Sequence, residues 1–327
     1  MKQLPLGQTG LRVSEFCLGT MTWGTQTSEA GAHDQIDLAL EHGLTFWDTA
    51  EMYPTNPVLA ENVGRTEEII GSWIAKGGPR DRVVLATKVT GAGQDAVRDG
   101  APINAATLRS AVEGSLRRMQ TDVIDLYQLH WPNRGSYHFR KMWSYDPRGT
   151  DRAAVTAHMV EVLTEAQALI AEGKIRHIGL SNESVWGAAR WLALSDALGL
   201  PRMVSIQNEY SLLAFSPLAV GLLSGKYAGD VTPDGTRRSA TPTLGGRITP
   251  QVFAAVAAYQ GIAARHGLEP CQMALAFCRS RPFPVIPILG ATTTAQLATA
   301  LGAAGLVLSD EVQAEIAAAH RAFPAPF

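Results

Sequence analysis

The sequence predicts an α/β fold, a (β/α)8 TIM barrel. Three observations point there. Short runs rich in β-branched, aromatic and aliphatic residues alternate with helix-length stretches along nearly the whole 327-residue chain. Their number favours a closed barrel over an open sheet, since eight candidate strands can be counted. Four polar residues, Asp48, Tyr53, Lys88 and His130, each fall at or just past the C-terminal end of such a run, where parallel α/β folds build their sites.

In chain order, the first strand is expected over Phe16 to Met21, with a helix from about Glu29 to His42. Leu44 to Asp48, Val83 to Lys88 and Val123 to His130 follow as strands of the texture buried on both faces. Helices are expected at Thr66 to Lys76, Asn104 to Met119, with Asn104 as its cap, and Ala153 to Glu172. Then come a strand at Ile175 to Asn182, a helix from Glu183 to Ala197, and strands at Val204 to Asn208, Leu212 to Pro217 and Val285 to Ala291. The last helices run from Pro250 to His266, with Thr249 capping and Pro250 at the first helical position, and from Ser309 to His320. Three stretches, Gly91 to Pro102, Pro132 to Arg152 and Gly229 to Thr249, are rich in Gly, Pro and charge and read as active-site loops.

Composition agrees with one domain over residues 1–327. With 46% hydrophobic and 18% charged residues the chain can bury a large core, and its net charge of -2 gives no reason to expect nucleic acid or an anionic membrane as a partner. No apolar run approaches transmembrane length, and Met1 to Pro5 lacks a signal-peptide core. Cys17, Cys271 and Cys278 make an odd count without CxxC spacing, which favours a reduced, cytoplasmic protein. Cys271 and Cys278 lie two turns apart on an expected helix and read as buried packing.

The four strand-end residues suit carbonyl reduction. A tyrosine gives up its proton near neutral pH only if its phenolate is favoured, and an adjacent ammonium does that. Lys88 supplies the charge, Asp48 holds Lys88 by a charge-assisted hydrogen bond, and His130 orients the carbonyl or assists the proton transfer. The hydride must come from a cofactor, because no side chain supplies one. Singly, each residue has an ordinary alternative: a cap, a surface aromatic, a solvated charge, a core histidine. Their shared placement at successive strand ends argues against four coincidences. His33 and His42 are too far apart to start a metal site. Asp122 and Asp125 read as a cap and a structural charge rather than a hydrolytic pair.

Phe46 to Tyr53, with Ala86-Thr87-Lys88 and Leu129-His130-Trp131-Pro132, resembles the catalytic motifs of the aldo-keto reductases. The likeness extends from Leu6 to about His320, and Gly19 to Gly24 with Ala50 to Pro54 is closest in wording to the Tas-like bacterial branch. The resemblance implies NADPH, a small-molecule aldehyde or ketone substrate, Tyr53 as acid, Asp48 and Lys88 as its tuning pair and His130 as orienter. It further implies Ser181, Asn182 and Gln207 at the nicotinamide carboxamide and Phe215 stacked on the nicotinamide. Ser216, Pro217, Leu218 and Lys226 would cradle the pyrophosphate, and Arg237 would meet the 2'-phosphate. Gly290, Thr292 and Gln296 would sit at the adenosine end, where the family's usual Asn is Ala300. Trp23 and Trp131, with Trp143 and Tyr145, would line an aromatic substrate pocket or pack the barrel rim.

One region departs from the pattern. The candidate strands Val204 to Asn208 and Leu212 to Pro217 are separated by Glu209, Tyr210 and Ser211 alone, whereas a parallel crossover needs a dozen or more residues. Four peptide steps reach about 14 Å, and a return along a six-residue strand needs about 20 Å. Against the family, one helical unit between strands 6 and 7 is missing. The segment could run irregularly at the C-terminal face, turn back antiparallel, be completed by a partner chain or leave the barrel poorly folded. Two functional classes follow: an NADPH-dependent carbonyl reductase, or a cofactor-binding or regulatory barrel with little turnover.

Overall fold

The β-branched and aliphatic runs fold as short parallel strands joined through helices, in a computed structural model that describes residues 1–55, 57–139, 141, 144–208 and 217–324. The chain forms two compact units. One comprises residues 3–208 with 290–293; the other comprises residues 1–2, 209–289 and 294–327.

The first unit opens on a feature absent from the expected strands. β1 (Gln3–Pro5) and β2 (Arg12–Ser14) pair antiparallel. At the end of this hairpin Ser14 Oγ accepts from the backbone N–H groups of Thr45 and Phe46, both at 3.1 Å.

The main sheet then runs through β3 (Cys17–Gly19), β4 (Phe46–Asp48), β5 (Val84–Val89), β6 (Ile124–Leu129), β7 (Ile175–Ser181) and β8 (Met203–Gln207), all parallel and in sequential order. The crossovers are α1 (Glu29–Glu41), α2 (Arg65–Ala75), α3 (Ala105–Met119), α4 (Arg152–Ala171) and α5 (Val185–Leu198). Local chemistry fixes their starts. Asn104 caps α3 in a reciprocal box with Thr107, Asp151 caps α4, and the hydroxyls of Ser28 and Ser184 cap α1 and α5. The six parallel strands bear out the β-then-α alternation read from sequence, with boundaries shifted by a residue or two.

Register divides each strand into two rows of side chains. Asp48 aligns with Ala86, Lys88 with Gln128, Gln128 with Gly179, and Ser181 with Gln207. These residues point to one face of the sheet, called here the inner row. The intervening residues face the helices. Thr87 Oγ1 donates to Glu67 of α2 at 2.6 Å, and Arg118 of α3 pairs with the same carboxylate at 2.7 Å. Asp125 is fully buried and pairs with Arg80 at 2.7 Å and with Arg176, while the Leu85 N–H donates to it at 2.9 Å. The reading of Asp125 as a structural charge therefore holds. His33 is likewise structural, its Nε2 lying 3.1 Å from both Ile69 O and Ser72 Oγ.

The second unit carries α6 (Arg237–Ala240), α7 (Val252–Arg265), α8 (Pro270–Arg279), β9 (Ile288–Gly290), α9 (Thr294–Leu301) and α10 (Asp310–Ala322). Gly290, the last residue of β9, groups with the first unit. Its core joins Ile262, Met273, Phe277, Leu308, Val312 and Ile316. All three cysteines are buried and outside any disulfide among the described residues, and Cys271 and Cys278 both lie on α8. The helix expected from Pro250 begins instead at Val252, with Gln251 in the preceding position and making no side-chain capping bond; a turn closed by the Val252 N–H on Thr249 O at 3.2 Å uses the preceding residues. The expected strand at Leu212 to Pro217 falls, apart from Pro217, outside the described residues. Among the described residues no helix is long and apolar enough to cross a membrane.

Candidate active site

The ladder of the sheet continues past the strand ends and carries the predicted residues with it. Beyond β4 the Thr49 N–H donates to Ala86 O at 2.9 Å and the Glu51 N–H to Lys88 O at 3.2 Å; beyond β6 the His130 N–H donates to Val89 O at 3.0 Å. Thr20 at the end of β3 holds Asp48 O through its hydroxyl at 2.9 Å. The loops bearing Tyr53 and His130 are thus extensions of a rigid sheet.

On this frame Asp48, Tyr53, Lys88 and His130 converge. Lys88, with no exposed surface, donates from Nζ to Asp48 Oδ2 at 2.6 Å and to Thr49 O at 2.8 Å, and reaches Tyr53 Oη at 3.5 Å. The same Nζ lies 4.9 Å from the Tyr53 ring centre, and the His130 ring stands edge-on to that ring at 5.8 Å. Burial opposes the charge on Lys88, but attraction to Asp48 and Tyr53 outweighs it and raises its pKa. His130 shows the opposite balance. Burial, reinforced by repulsion from Lys88, pushes its pKa well below the ordinary imidazole value, so it is neutral at pH 7.

Two glutamines complete the carboxylate. Asp48 Oδ1 accepts from Gln128 Nε2 at 3.0 Å and from Gln207 Nε2 at 2.9 Å. Gln128 was not among the residues expected at the site. Its signal, an amide on the inner row two residues before His130, becomes informative only once the register is known.

A second unforeseen group ties the loop after β5 to the loop carrying Tyr53. The buried Glu51 carboxylate accepts from the Thr90 N–H and pairs with Arg98 Nη1 at 2.6 Å, while Arg98 Nη2 donates to Thr90 O at 2.8 Å. Among the described residues Glu51, Thr90 and Arg98 thus join the turn before Tyr53 to the segment that follows Lys88.

Ser181, Asn182 and Gln207 lie in the same unit as the four convergent residues. Ser181 Oγ donates to Gln207 O at 2.8 Å, and Asn182 Nδ2 donates to His130 O at 2.9 Å. Asn182 Oδ1 and His130 Nδ1 are buried without a hydrogen-bond partner among the described residues. Gly290 and Thr292 also belong to this unit, where Thr27 Oγ1 donates to Thr292 O at 3.2 Å. Pro217, Leu218, Lys226, Arg237 and Gln296 belong to the second unit. There Leu218 precedes a short 3-10 turn, Ala219–Ser224, Lys226 Nζ lies 5.2 Å from the Tyr227 ring, Arg237 opens α6 and Gln296 is exposed on α9. Phe215 and Ser216 lie outside the described residues, as does Trp143.

The two tryptophans separate. Trp131 is half-buried beside His130, ring centres 4.9 Å apart, with its indole N–H on Ala92 O at 3.0 Å. Trp23 is fully buried and its N–H donates to Gln35 Oε1 at 3.1 Å, which places it in the packing of the rim rather than on an open wall. A cavity of about 320 Å³ is lined by Leu129, Leu180, Trp131, His158 and Trp191 among others. Leu129 and Leu180 belong to the helix-facing row, so most of this cavity lies between the sheet and its helices, and it reaches Ser181 at the strand end.

The strand ends of a parallel sheet thus bring a buried Lys–Asp pair beside a tyrosine and a neutral histidine. Residues 15–321 match the Aldo/keto reductase family, and the chain belongs to it. It is 42% identical to Protein tas of Escherichia coli (strain K12) over 347 aligned positions, covering 97% of this chain and 98% of that protein. It is 32% identical to the uncharacterized oxidoreductase YrpG of Bacillus subtilis (95% and 94% covered). Its identity to norsolorinic acid reductase stcV of Emericella nidulans is 28% (94% and 78% covered). An alignment of 347 positions against a chain of 327 residues necessarily opens gaps in this chain.

Proposed function

We propose that the protein is an NADPH-dependent reductase that converts an aldehyde or ketone to an alcohol, with Tyr53 as the proton donor. The observation that carries this reading is the buried Lys88 ammonium, bonded to Asp48 at 2.6 Å and reaching Tyr53 Oη at 3.5 Å. Membership of a family with oxidoreductase relatives supports it.

A reduced nicotinamide, when bound, supplies the hydride. Asn182 fits its carboxamide, since the buried, unpartnered Oδ1 calls for an N–H donor. Ser181 and Gln207 would flank Asn182 there. As the carbonyl carbon gains hydride, its oxygen takes the proton from Tyr53 Oη. The phenolate left behind faces the Lys88 ammonium, whose charge Asp48 maintains. His130, neutral at pH 7, can offer one ring N–H to the carbonyl oxygen without carrying charge. Trp131, beside His130, would form one wall for the substrate. Three cysteines, an odd count without CxxC spacing, suit a cytoplasmic enzyme.

The test is NADPH oxidation with 4-nitrobenzaldehyde, run beside NADH. Tyr53→Phe should lower kcat by roughly 10²–10⁴-fold while NADPH still quenches tryptophan fluorescence as in the wild type. Undiminished turnover in Tyr53→Phe would refute the mechanism. Wild-type NADPH binding without turnover would favour the cofactor-binding, regulatory reading.

A further inference from the structure

Gln128 is buried, 2% exposed, on the inner row of β6. We infer that Gln128 is a positioning residue for the proton-transfer pair, holding Asp48 so that its charge stays directed at Lys88; this rests on the carbonyl-reductase reading.

The orientation of the two amides follows from their acceptor. A carboxylate offers no N–H, so Gln128 and Gln207 must both turn their NH2 groups toward Asp48 Oδ1, at 3.0 and 2.9 Å. Gln128 Oε1 then faces the Gln207 NH2 at 3.5 Å. The carboxylate is divided: Oδ1 is occupied by the two amides and Oδ2 by Lys88. A continuous chain of groups runs from Gln207 through Gln128 and Asp48 to Lys88 and Tyr53, linking the side that would meet the nicotinamide to the side that gives the proton.

The strand neighbour of Gln128 supports a built arrangement. Gly179 is its register partner on β7, and a Cβ there would lie 2.4 Å from Ser205 Oγ and 3.4 Å from Gln128 Cγ. A larger residue at 179 would force Ser205 aside and crowd the Gln128 stem. The empty position leaves the amide room to cross the interior to Asp48.

Without the Gln128 donor, the Asp48 charge is less shared and binds the ammonium more strongly, drawing Lys88 from Tyr53. Tyr53 then becomes a weaker acid. The variant is Gln128→Met, of similar length but without a donor. Expected are a kcat for 4-nitrobenzaldehyde lowered about tenfold, an unchanged KM for NADPH, and an alkaline limb of the kcat profile displaced upward by about one pH unit. A side chain serving packing alone would be replaced by Met with no change in that profile, and such a result overturns the inference. Gln128→Asn, which keeps the amide at shorter reach, should fall between the two.

A second measurement is independent of turnover. In protein labelled with 15N-glutamine, Asp48→Asn should shift the side-chain NH2 resonances of both Gln128 and Gln207, assigned from the Met variants. Unmoved Gln128 signals would refute the contact. If the wild type does not reduce the aldehyde, the reductase reading falls and this measurement alone decides whether Gln128 braces Asp48.

Discussion

Breaking the Lys88–Asp48 pair from either side should cost more than removing it whole. Lys88→Met deletes an ammonium with no exposed surface and leaves Asp48, 3% exposed, without a partner on Oδ2. Loss of one member of a buried pair costs about 3–5 kcal/mol. The amides of Gln128 and Gln207 still serve Oδ1, which places Lys88→Met at the lower end, about 3 kcal/mol. Asp48→Asn strands the ammonium with Thr49 O as its remaining short contact and sets an NH2 against two others, a loss of about the same size. The double variant removes both charges and should lose about 2 kcal/mol, less than either single change. Urea unfolding at pH 7 measures all four proteins, with the slope m checked for constancy. A double-variant loss equal to the sum of the singles would refute the account. The pH dependence adds a sign. Because the folded-state pKa of Lys88 is raised, its contribution is complete below the ordinary value of 10.5 and is lost as pH rises through the folded value. The gap between wild type and Lys88→Met should therefore narrow only above pH 10.5.

His130 predicts the opposite limb: the unfolded chain takes up a proton near pH 6.5 while folded His130 resists until well below it. Stability should thus fall on acidification by up to about 1.4 kcal/mol per pH unit. His130→Gln should flatten that fall in urea titrations between pH 7 and pH 5, and an identical slope would count against the buried, neutral imidazole. The thiols should be inert: burial pushes Cys271 and Cys278 from 9.0 up to about 12 and raises Cys17 well above its ordinary value. Iodoacetamide at pH 8 should label them about a thousandfold more slowly than a free thiol, with full labelling only in denaturant; rapid labelling of the native chain, read by mass spectrometry, would contradict this packing.

Sequence reading reached the strands and the four convergent residues because those signals are local: an apolar run, then a polar residue where it ends. It missed what depends on distance along the chain. Gln128 meets Asp48 across 80 positions and Arg98 meets Glu51 across 47, and neither pairing has a local mark. The Trp23 indole looked like pocket wall for the same reason, since only the fold reveals Gln35 beneath it. The β1–β2 hairpin escaped because its three-residue strands, joined by a turn that holds Gly7 and Gly10, are too short for periodicity to register. At α7, Pro250 suggested a start two residues early, since proline's preference for a first helical turn is shared by ordinary turns.

The two rows of β5 and β6 act together as a check on assembly. The helix-facing row must satisfy two fully buried carboxylates, Asp125 with Arg80 and Arg176, and Glu67 with Thr87 and Arg118. A one-residue slip would turn Thr87 and Asp125 inward and Lys88 and Gln128 toward the helices, stranding charge on both sides at once. Misregistered chains are therefore penalised twice, and any chain that has seated its anchors has already aimed its chemistry.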